Sequence, residues 1–149
     1  MSGISGSSTA EIHAPLDRVW ALVEDVESAP EWPGGLKAMR AVDRDEQGRA
    51  VRCETESDAK VRTIKSTVRF TYHGPGTLSW TQEKGELKSV DGRWELEDLG
   101  GDRTRATYKL DVELGRMLGM IIRGPLVDLL RDMLVSARAG ELKKAIESG

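Results

Sequence analysis

Three side chains of this 149-residue sequence could ligate a soft metal or act as a nucleophile, namely His13, Cys53 and His73. A metal site needs several converging ligands, and these residues show no recognisable ligand spacing. The sequence therefore predicts neither a metal nor another cofactor. Cys53 lies within an alternating segment and has no adjacent base to activate it, so we interpret it as a small apolar residue.

Tyr72 and Tyr108 are the remaining catalytic candidates, because a phenol can donate a proton or polarise a carbonyl. An arginine such as Arg40 could hold an enolate beside them. The other charged residues of the predicted strands have the parity of the opposite face, namely Arg69, Asp91, Arg93 and Arg105. The sequence places no charged side chain clearly on the apolar face, so catalysis stays unassigned and binding is favoured.

The segment 92–114 shows most clearly how such side chains are positioned. Its even positions are mainly apolar or aromatic, and its odd positions after the turn are mainly charged. This period of two predicts a β-hairpin with one inner and one solvated face. Hydroxyls share the inner face of the predicted sheet, namely Thr55, Ser57, Ser66, Tyr72 and Tyr108. Apolar walls with a few polar groups are typical of a ligand pocket, so we expect a cavity there.

The remaining patterns predict an α+β fold. A strand ending at Ile12 precedes two short helices, from "PLDRVWALVED" and "VESAPEW". Six strands follow, at 36–44, 49–59, 62–73, 77–83, 86–97 and 103–114, joined as an antiparallel meander. The last third has helical spacing, with a kink or a new start at Gly124-Pro125. A curved seven-stranded sheet should then wrap around a long C-terminal helix.

Composition limits the possible partners. The chain has a formal net charge of −3, with 38% hydrophobic and 32% charged residues, which is typical of a soluble globular protein. Its acidic balance argues against nucleic acid. We expect a single domain over 1–149, with 1–6 as a flexible tail, in a cytoplasmic protein that is a monomer or weak homodimer. The lone cysteine allows no intramolecular disulfide.

The run "IHAPLDRVWALVEDVESAPEWPGGL" resembles the opening of the START-like, Bet v 1-like (SRPBCC) superfamily, in particular its polyketide cyclase/dehydrase and coenzyme-Q-binding branch. The matching positions are Ala14-Pro15, Val19-Trp20, Asp25 and Trp32-Pro33, followed by a late hairpin with Gly92 and Trp94. The resemblance implies a helix-grip fold in which sheet and helix enclose an apolar cavity. It carries no particular reaction, because such folds host carriers, binders and cyclases.

We therefore predict that the protein binds or transports a hydrophobic small molecule, such as a lipid, isoprenoid, quinone or polyketide. The alternative is a polyketide aromatase/cyclase or dehydratase that uses cavity hydroxyls. The predicted ligand-binding residues come from the sheet, the loop at Trp32 and the C-terminal helix: Trp32, Cys53, Ile64, Val68, Phe70, Tyr72, Trp80, Trp94, Tyr108, Leu126, Leu130 and Met133.

Two further interpretations concern the surface. The run "RMLGMIIRG" is too short to span a bilayer, so no stable membrane insertion is expected. It could form a portal to the cavity or touch a membrane surface, although packing of the helix start into the core is favoured. A protein-interaction module would need a large exposed apolar patch, which the charged outer face of the sheet does not offer.

Overall fold

A computed structural model describes residues 3–31, 36–60 and 62–147. Trp32 lies outside these residues. Within them, seven strands form one antiparallel sheet in the order β1-β7-β6-β5-β4-β3-β2. The strands are β1 Gly3–Ile12, β2 Leu36–Arg44, β3 Ala50–Asp58, β4 Thr63–His73, β5 Thr77–Gly85, β6 Ser89–Gly100 and β7 Arg103–Glu113. The predicted helix-grip architecture is confirmed: β2 to β7 form a meander, and β1 closes onto β7.

β1 begins earlier than the sequence predicts. The assignment of 1–6 as a flexible tail is wrong from Gly3 onward, because Gly3 pairs with Glu113 and Ile4 with Val112. Ser and Gly have low strand propensity, but the neighbouring strand supplies a hydrogen-bonding edge that overrides it. Ile4 is buried, so the start of β1 contributes to the core.

The helices cover the inner face of the sheet. α1 spans Leu16–Glu24, and a 3₁₀ helix follows at Val26–Glu31. The predicted long C-terminal helix is divided into α2 Gly115–Ile121, α3 Pro125–Arg131, a π-helical turn at Asp132–Ser136 and α4 Arg138–Glu147. Gly124 separates α2 from α3 with a φ of 65°, a conformation that favours glycine, and Pro125 starts the new helix as predicted.

The outer face of the sheet carries cross-strand ion pairs. Arg52 on β3 and Arg69 on β4 both bind Glu83 on β5, with nitrogen–oxygen distances of 2.6 and 2.7 Å. Arg105 on β7 binds Glu97 on β6 at 2.7 Å. Exposed pairs of this kind add little stability, but they keep the outer face solvated and direct the apolar residues inward. No helix of the described residues is long and apolar enough to cross a membrane.

Candidate functional site

A cavity of about 170 Å³ lies between the inner face of the sheet and the helices. Apolar side chains form most of its wall. On the sheet side these include Ile64, Val68, Phe70, Leu78, Trp80, Val90, Trp94, Tyr108, Leu110 and Val112. On the helical side they include Leu22, Val23, Val26, Ala29, Ile122, Leu130 and Leu134. The described part of the wall is thus shared by nearly every element of the fold.

Four aromatic rings form a continuous wall across β4 to β7. The ring centroids of Phe70 and Trp80 are 5.9 Å apart, those of Trp80 and Tyr108 are 5.6 Å apart, and those of Tyr108 and Trp94 are 4.7 Å apart. Phe70 faces Trp80 and Trp94 faces Tyr108 in the strand register. Tilted pairs at these distances are favourable, so the rings stiffen one another and present an apolar surface to the cavity.

Trp80 reaches across the sheet because β6 carries a glycine opposite it. Gly92 pairs with Trp80, and a Cβ atom at Gly92 would lie 2.4 Å from the indole. Since no side chain can occupy that space, the indole lies directly over the β6 backbone. Gly92 therefore sets both the position of Trp80 and the space left beside it.

One buried cation interrupts the apolar wall. Arg138, at the start of α4, lines the cavity and is only 6% exposed. Its Nη1 atom lies 3.2 Å from Oε1 of Glu141, and its guanidinium carbon lies 5.7 Å from the ring centroid of Tyr108. Its charge and its hydrogen-bonding groups also act on the Tyr108 hydroxyl. A charged group, its counter-ion and a phenol thus meet at one point of a mainly apolar cavity, whose wall also includes Asp25 and Asp58.

The electrostatics of this cluster follow from burial. Burial raises the pKa of Tyr108, although the charge of Arg138 and its hydrogen bond oppose the shift. Burial likewise raises the pKa of Glu141, and Arg138 again opposes it. At neutral pH, Tyr108 is consequently a neutral phenol beside a charged guanidinium. Such a pair can donate hydrogen bonds to an oxygen atom placed in the cavity.

Arg138 changes one conclusion drawn from the sequence. The sequence places no charged residue clearly on the inner face, yet α4 delivers Arg138, and the ends of α1 and β3 deliver Asp25 and Asp58. The i, i+4 spacing of Leu130, Leu134 and Arg138 is the signal that could have found the arginine, since all three line the cavity. Arg40, the arginine that the sequence suggests, is instead an exposed residue of β2 that pairs with Glu54.

Seven predicted ligand-binding residues lie in the cavity wall: Ile64, Val68, Phe70, Trp80, Trp94, Tyr108 and Leu130. Period-two alternation identifies such strand residues well. The structure does not place four others there, namely Cys53, Tyr72, Leu126 and Met133. Whether the seven contact a ligand remains a prediction.

Cys53 and Tyr72 are absent from the wall because other groups surround them. Cys53 is fully buried in the core. The Tyr72 hydroxyl donates a hydrogen bond to the carbonyl of Ala50, and the guanidinium carbon of Arg49 lies 4.4 Å from its ring centroid. Tyr72 therefore serves as a packing residue here rather than as a proton donor in the cavity.

Leu126 and Met133 are partly buried against the core, but neighbouring turns face the cavity instead. The π-helical turn at Asp132–Ser136 adds a residue to the helical turn and shifts its phase. Leu134 rather than Met133 then lines the cavity, while Val135 is fully buried. From Leu130, the i+4 position is Leu134 and the i+3 position is Met133, and the sequence alone does not decide which of them faces the cavity.

Thr55, Ser57, Ser66 and Tyr108 line the cavity as the alternation predicts, whereas Tyr72 does not. Besides Tyr108, which lies beside Arg138, two of these hydroxyls have protein partners. Thr55 donates to the carbonyl of Ser66 at 3.3 Å, and Ser66 donates to Oε1 of Gln82 at 2.8 Å. Their presence alone therefore does not require a polar ligand.

A second depression, of about 420 Å³, lies on the outer face of the sheet. It is open to solvent and lined largely by polar residues, including Thr71, Ser79, Asp91, Arg93 and Lys109. Although larger, it would bury little of a ligand, so the less open cavity between sheet and helices is the better candidate site.

A family model described as "Polyketide cyclase / dehydrase and lipid transport" matches residues 12–137. The match confirms the resemblance seen in the opening run and the late hairpin. A search of curated proteins found no significant match.

Solved structures share the fold at low sequence identity. A START superfamily protein from Mycobacterium smegmatis is 21% identical with a TM-score of 0.81, over 97% of both chains. A protein from Thermus thermophilus is 19% identical with a TM-score of 0.80, over 98% of this chain and 97% of that one. An aromatase/cyclase from a Streptomyces species is 17% identical with a TM-score of 0.66, over 98% of this chain and 85% of that one.

Proposed function

We propose that this chain, which belongs to the polyketide cyclase / dehydrase and lipid transport family, binds a hydrophobic small molecule in the cavity between its sheet and its helices. One observation carries the proposal: a partly open cavity of about 170 Å³ whose wall is mainly apolar and includes four packed aromatic rings. A core evolved only for stability would be packed to near-crystalline density and would not keep such a space.

The size of the cavity limits the ligand. Drug-sized ligands occupy pockets of roughly 300–1,000 Å³, whereas an apolar cavity of roughly 150 Å³ holds a single benzene ring. By that scale a single ring fits the cavity as it stands, and a fused bicyclic ring fits once wall side chains move slightly. A lipid or a longer polyketide would enter only by displacing wall residues such as Leu130 or Leu134.

The Arg138 cluster selects the polar end of that ligand. Arg138 and Tyr108 line the cavity, while Glu141 balances the guanidinium charge. An anionic ligand would add an unbalanced buried charge, which is costly in an apolar environment. A neutral oxygen acceptor, such as a ketone or quinone carbonyl, accepts hydrogen bonds without that cost. We therefore propose an apolar ring system that bears a carbonyl.

The first test is native mass spectrometry of the full chain purified without detergent, followed by organic extraction. We expect an adduct of defined mass whose extract contains an apolar carbonyl compound. Protein without an adduct would favour an enzyme that releases its product over a carrier that retains its ligand.

A second test compares 1-tetralone with tetralin, which has the same ring system without the carbonyl. In titrations followed by amide NMR shifts, we expect wild type to bind 1-tetralone more tightly, with shifts around the cavity. The Arg138→Met variant should lose this preference but keep tetralin binding. Equal affinities in wild type would contradict the carbonyl proposal alone, and binding of neither compound would contradict the binding function.

The same titration identifies the wall. Trp94 lines the cavity, whereas Trp20 packs over Gly74 and is not among the lining residues. Trp94→Ala should weaken tetralone binding more than Trp20→Ala does. Equal effects, in variants shown by circular dichroism to be folded, would place the site elsewhere.

An aromatase/cyclase is the second candidate, and the same cluster favours it. Arg138 beside the neutral phenol of Tyr108 could polarise a substrate carbonyl during an aldol condensation. Turnover of a poly-β-ketone should then fall sharply in Tyr108→Phe while ligand binding persists. Unchanged turnover in that variant would remove Tyr108 from the chemistry.

A further inference from the structure

We propose that α2 docks the protein on the surface of a membrane containing anionic lipids. The proposal concerns the outer face of α2 and holds whether or not the cavity carries a ligand. Packing of this segment into the core is the interpretation favoured by the sequence, and the structure shows that it applies to only one side of the helix.

The apolar residues on the other side of α2 are exposed. Met117 is 75% exposed, Met120 66% and Ile121 50%. These three positions have i, i+3, i+4 spacing and share one face of the helix. Leu129 on α3 is also exposed, so four of the five exposed large hydrophobic residues in the described part of the chain lie between 117 and 129. Single exposed residues are ordinary, but this concentration marks an interaction surface.

Positive charge flanks this surface. Arg116 precedes Met117 and Arg123 follows the helix, and both side chains are exposed. No acidic residue occurs from Leu114 to Val127. Neither arginine forms an ion pair with a carboxylate in the described ranges, whereas Arg52, Arg69 and most others do. The chain as a whole has a net charge of −3, so this local excess of cations stands out.

An anionic lipid surface fits this combination better than a protein does. Apolar side chains on one face of a helix enter the boundary between headgroups and acyl chains, while flanking arginines bind lipid phosphates. A seven-residue helix is only about 10 Å long. That face is far smaller than the roughly 800 Å² per partner of a stable protein interface, whereas a membrane requires no shape complementarity.

The inner face of the same helix packs into the core, and the residues that flank the helix line the cavity. Leu118 is buried, and Ile122, directly after the helix, lines the cavity. Docking through Met117 and Met120 would therefore bring the cavity wall next to the lipid surface. Leu114 and Ile122, the residues directly before and after α2, both line the cavity.

Vesicle flotation of the full chain tests the proposal. We expect flotation with vesicles of phosphatidylcholine and phosphatidylglycerol in equal parts, and little with phosphatidylcholine alone. The Arg116→Gln, Arg123→Gln double variant should lose about fivefold in partitioning per arginine at low salt. Added sodium chloride should weaken wild-type binding, because surface charge is screened.

The apolar contribution is tested separately with a matched control. Met117→Ser, Met120→Ser should abolish flotation, while Val42→Ser, at the fifth exposed hydrophobic position, should leave it unchanged. Lys84→Gln is the control for charge, because Lys84 is an exposed cation on β5, outside the helical region. All these side chains are exposed, so the variants should fold normally.

Three outcomes would overturn the proposal. The first is absence of wild-type flotation with anionic vesicles. The second is flotation that the α2 variants and Val42→Ser alter equally. The third is a wild-type dimer, detected by analytical ultracentrifugation, that Met117→Ser, Met120→Ser dissociates without any change in vesicle binding. That result would assign the surface to a second copy of the chain.

Discussion

At the scale of single residues, burial decides the chemistry of Cys53. The thiol is fully buried, and burial raises its pKa to about 11, with a smaller contribution from Glu27. Because the thiolate is the reactive species, Cys53 should react only slowly with dithiobis(nitrobenzoate) at about pH 8 in the native protein. The same thiol should react within seconds in guanidinium chloride. Rapid labelling of the folded protein would show that β3 opens readily.

Gly92 provides a second test at this scale. The new Cβ of Gly92→Ala would lie 2.4 Å from the Trp80 indole and would push the ring out of its position. We expect the free energy of unfolding to fall by about 1–3 kcal/mol, the usual cost of overpacking, together with weaker binding of 1-tetralone.

Gly140→Ala is the matched control for that variant. Gly140 lies inside α4 with no atom within 4 Å of the added Cβ. The substitution should stabilise the protein by about 0.5–1 kcal/mol in urea unfolding, because alanine has the higher helix propensity. If both variants lowered stability equally, the steric argument for Gly92 would be wrong.

At the scale of elements, the end of α4 is attached to the beginning of the chain. Glu147 accepts hydrogen bonds from the backbone N–H of His13 at 2.9 Å and from Lys143 at 2.7 Å. Arg18 on α1 donates to the carbonyl of Ile146. The His13 amide and the Lys143 ammonium lower the pKa of Glu147, so the attachment is present above the ordinary pKa of a glutamate and is lost as the pH falls through the lowered value.

Glu147→Gln should therefore loosen α4 at neutral pH. We expect faster hydrogen exchange of the amides in its last two turns, with the exchange of β6 and β7 unchanged. Glu46→Gln, at an exposed position in the turn between β2 and β3, is the control and should change neither. Faster exchange throughout the sheet would mean that the attachment supports the whole fold.

The helices and strands also show which parts of the fold can be predicted from sequence patterns. The period of two locates β2 to β7 within a few residues, because each strand has one buried and one solvated face. It misses the start of β1, where the neighbouring strand rather than the local sequence determines the structure. The break at Gly124-Pro125 is predicted from its local chemistry, whereas the π-helical turn after Arg131 has no such signature and depends on packing against the sheet.

At the scale of the whole molecule, three weak acids govern the response to alkali: Cys53 and Tyr108, which are buried, and Tyr72, which is partly buried. Burial raises the pKa values of Cys53, Tyr72 and Tyr108 above their ordinary values. In the unfolded chain these groups titrate near about 8.5 for cysteine and about 10 for tyrosine. Above those values the unfolded chain has released protons that the folded protein retains, so the free energy of unfolding must decrease as the pH rises.

Urea unfolding measured from about pH 8 to about pH 11 checks this expectation. Wild-type stability should be undiminished near pH 8 and should fall steadily above about pH 9. Tyr72→Phe should show a shallower decline, because one of the three groups has been removed. Parallel declines in the two proteins would mean that Tyr72 titrates alike in the folded and unfolded states.

Sequence alone determined the parts of this protein that depend on local periodicity and composition: the antiparallel meander, the helical C-terminal third, the family, and an apolar inner face that includes Trp80, Trp94 and Tyr108. The tertiary structure decided which side chains meet. Arg138 on α4 meets Tyr108 on β7. Cys53 lies in the core, although Thr55, on the same face of the same strand, lines the cavity. The tertiary structure also leaves the side chains of Met117 and Met120 exposed to solvent. Alternation specifies a face, but only the packing of helices against the curved sheet specifies the position on that face.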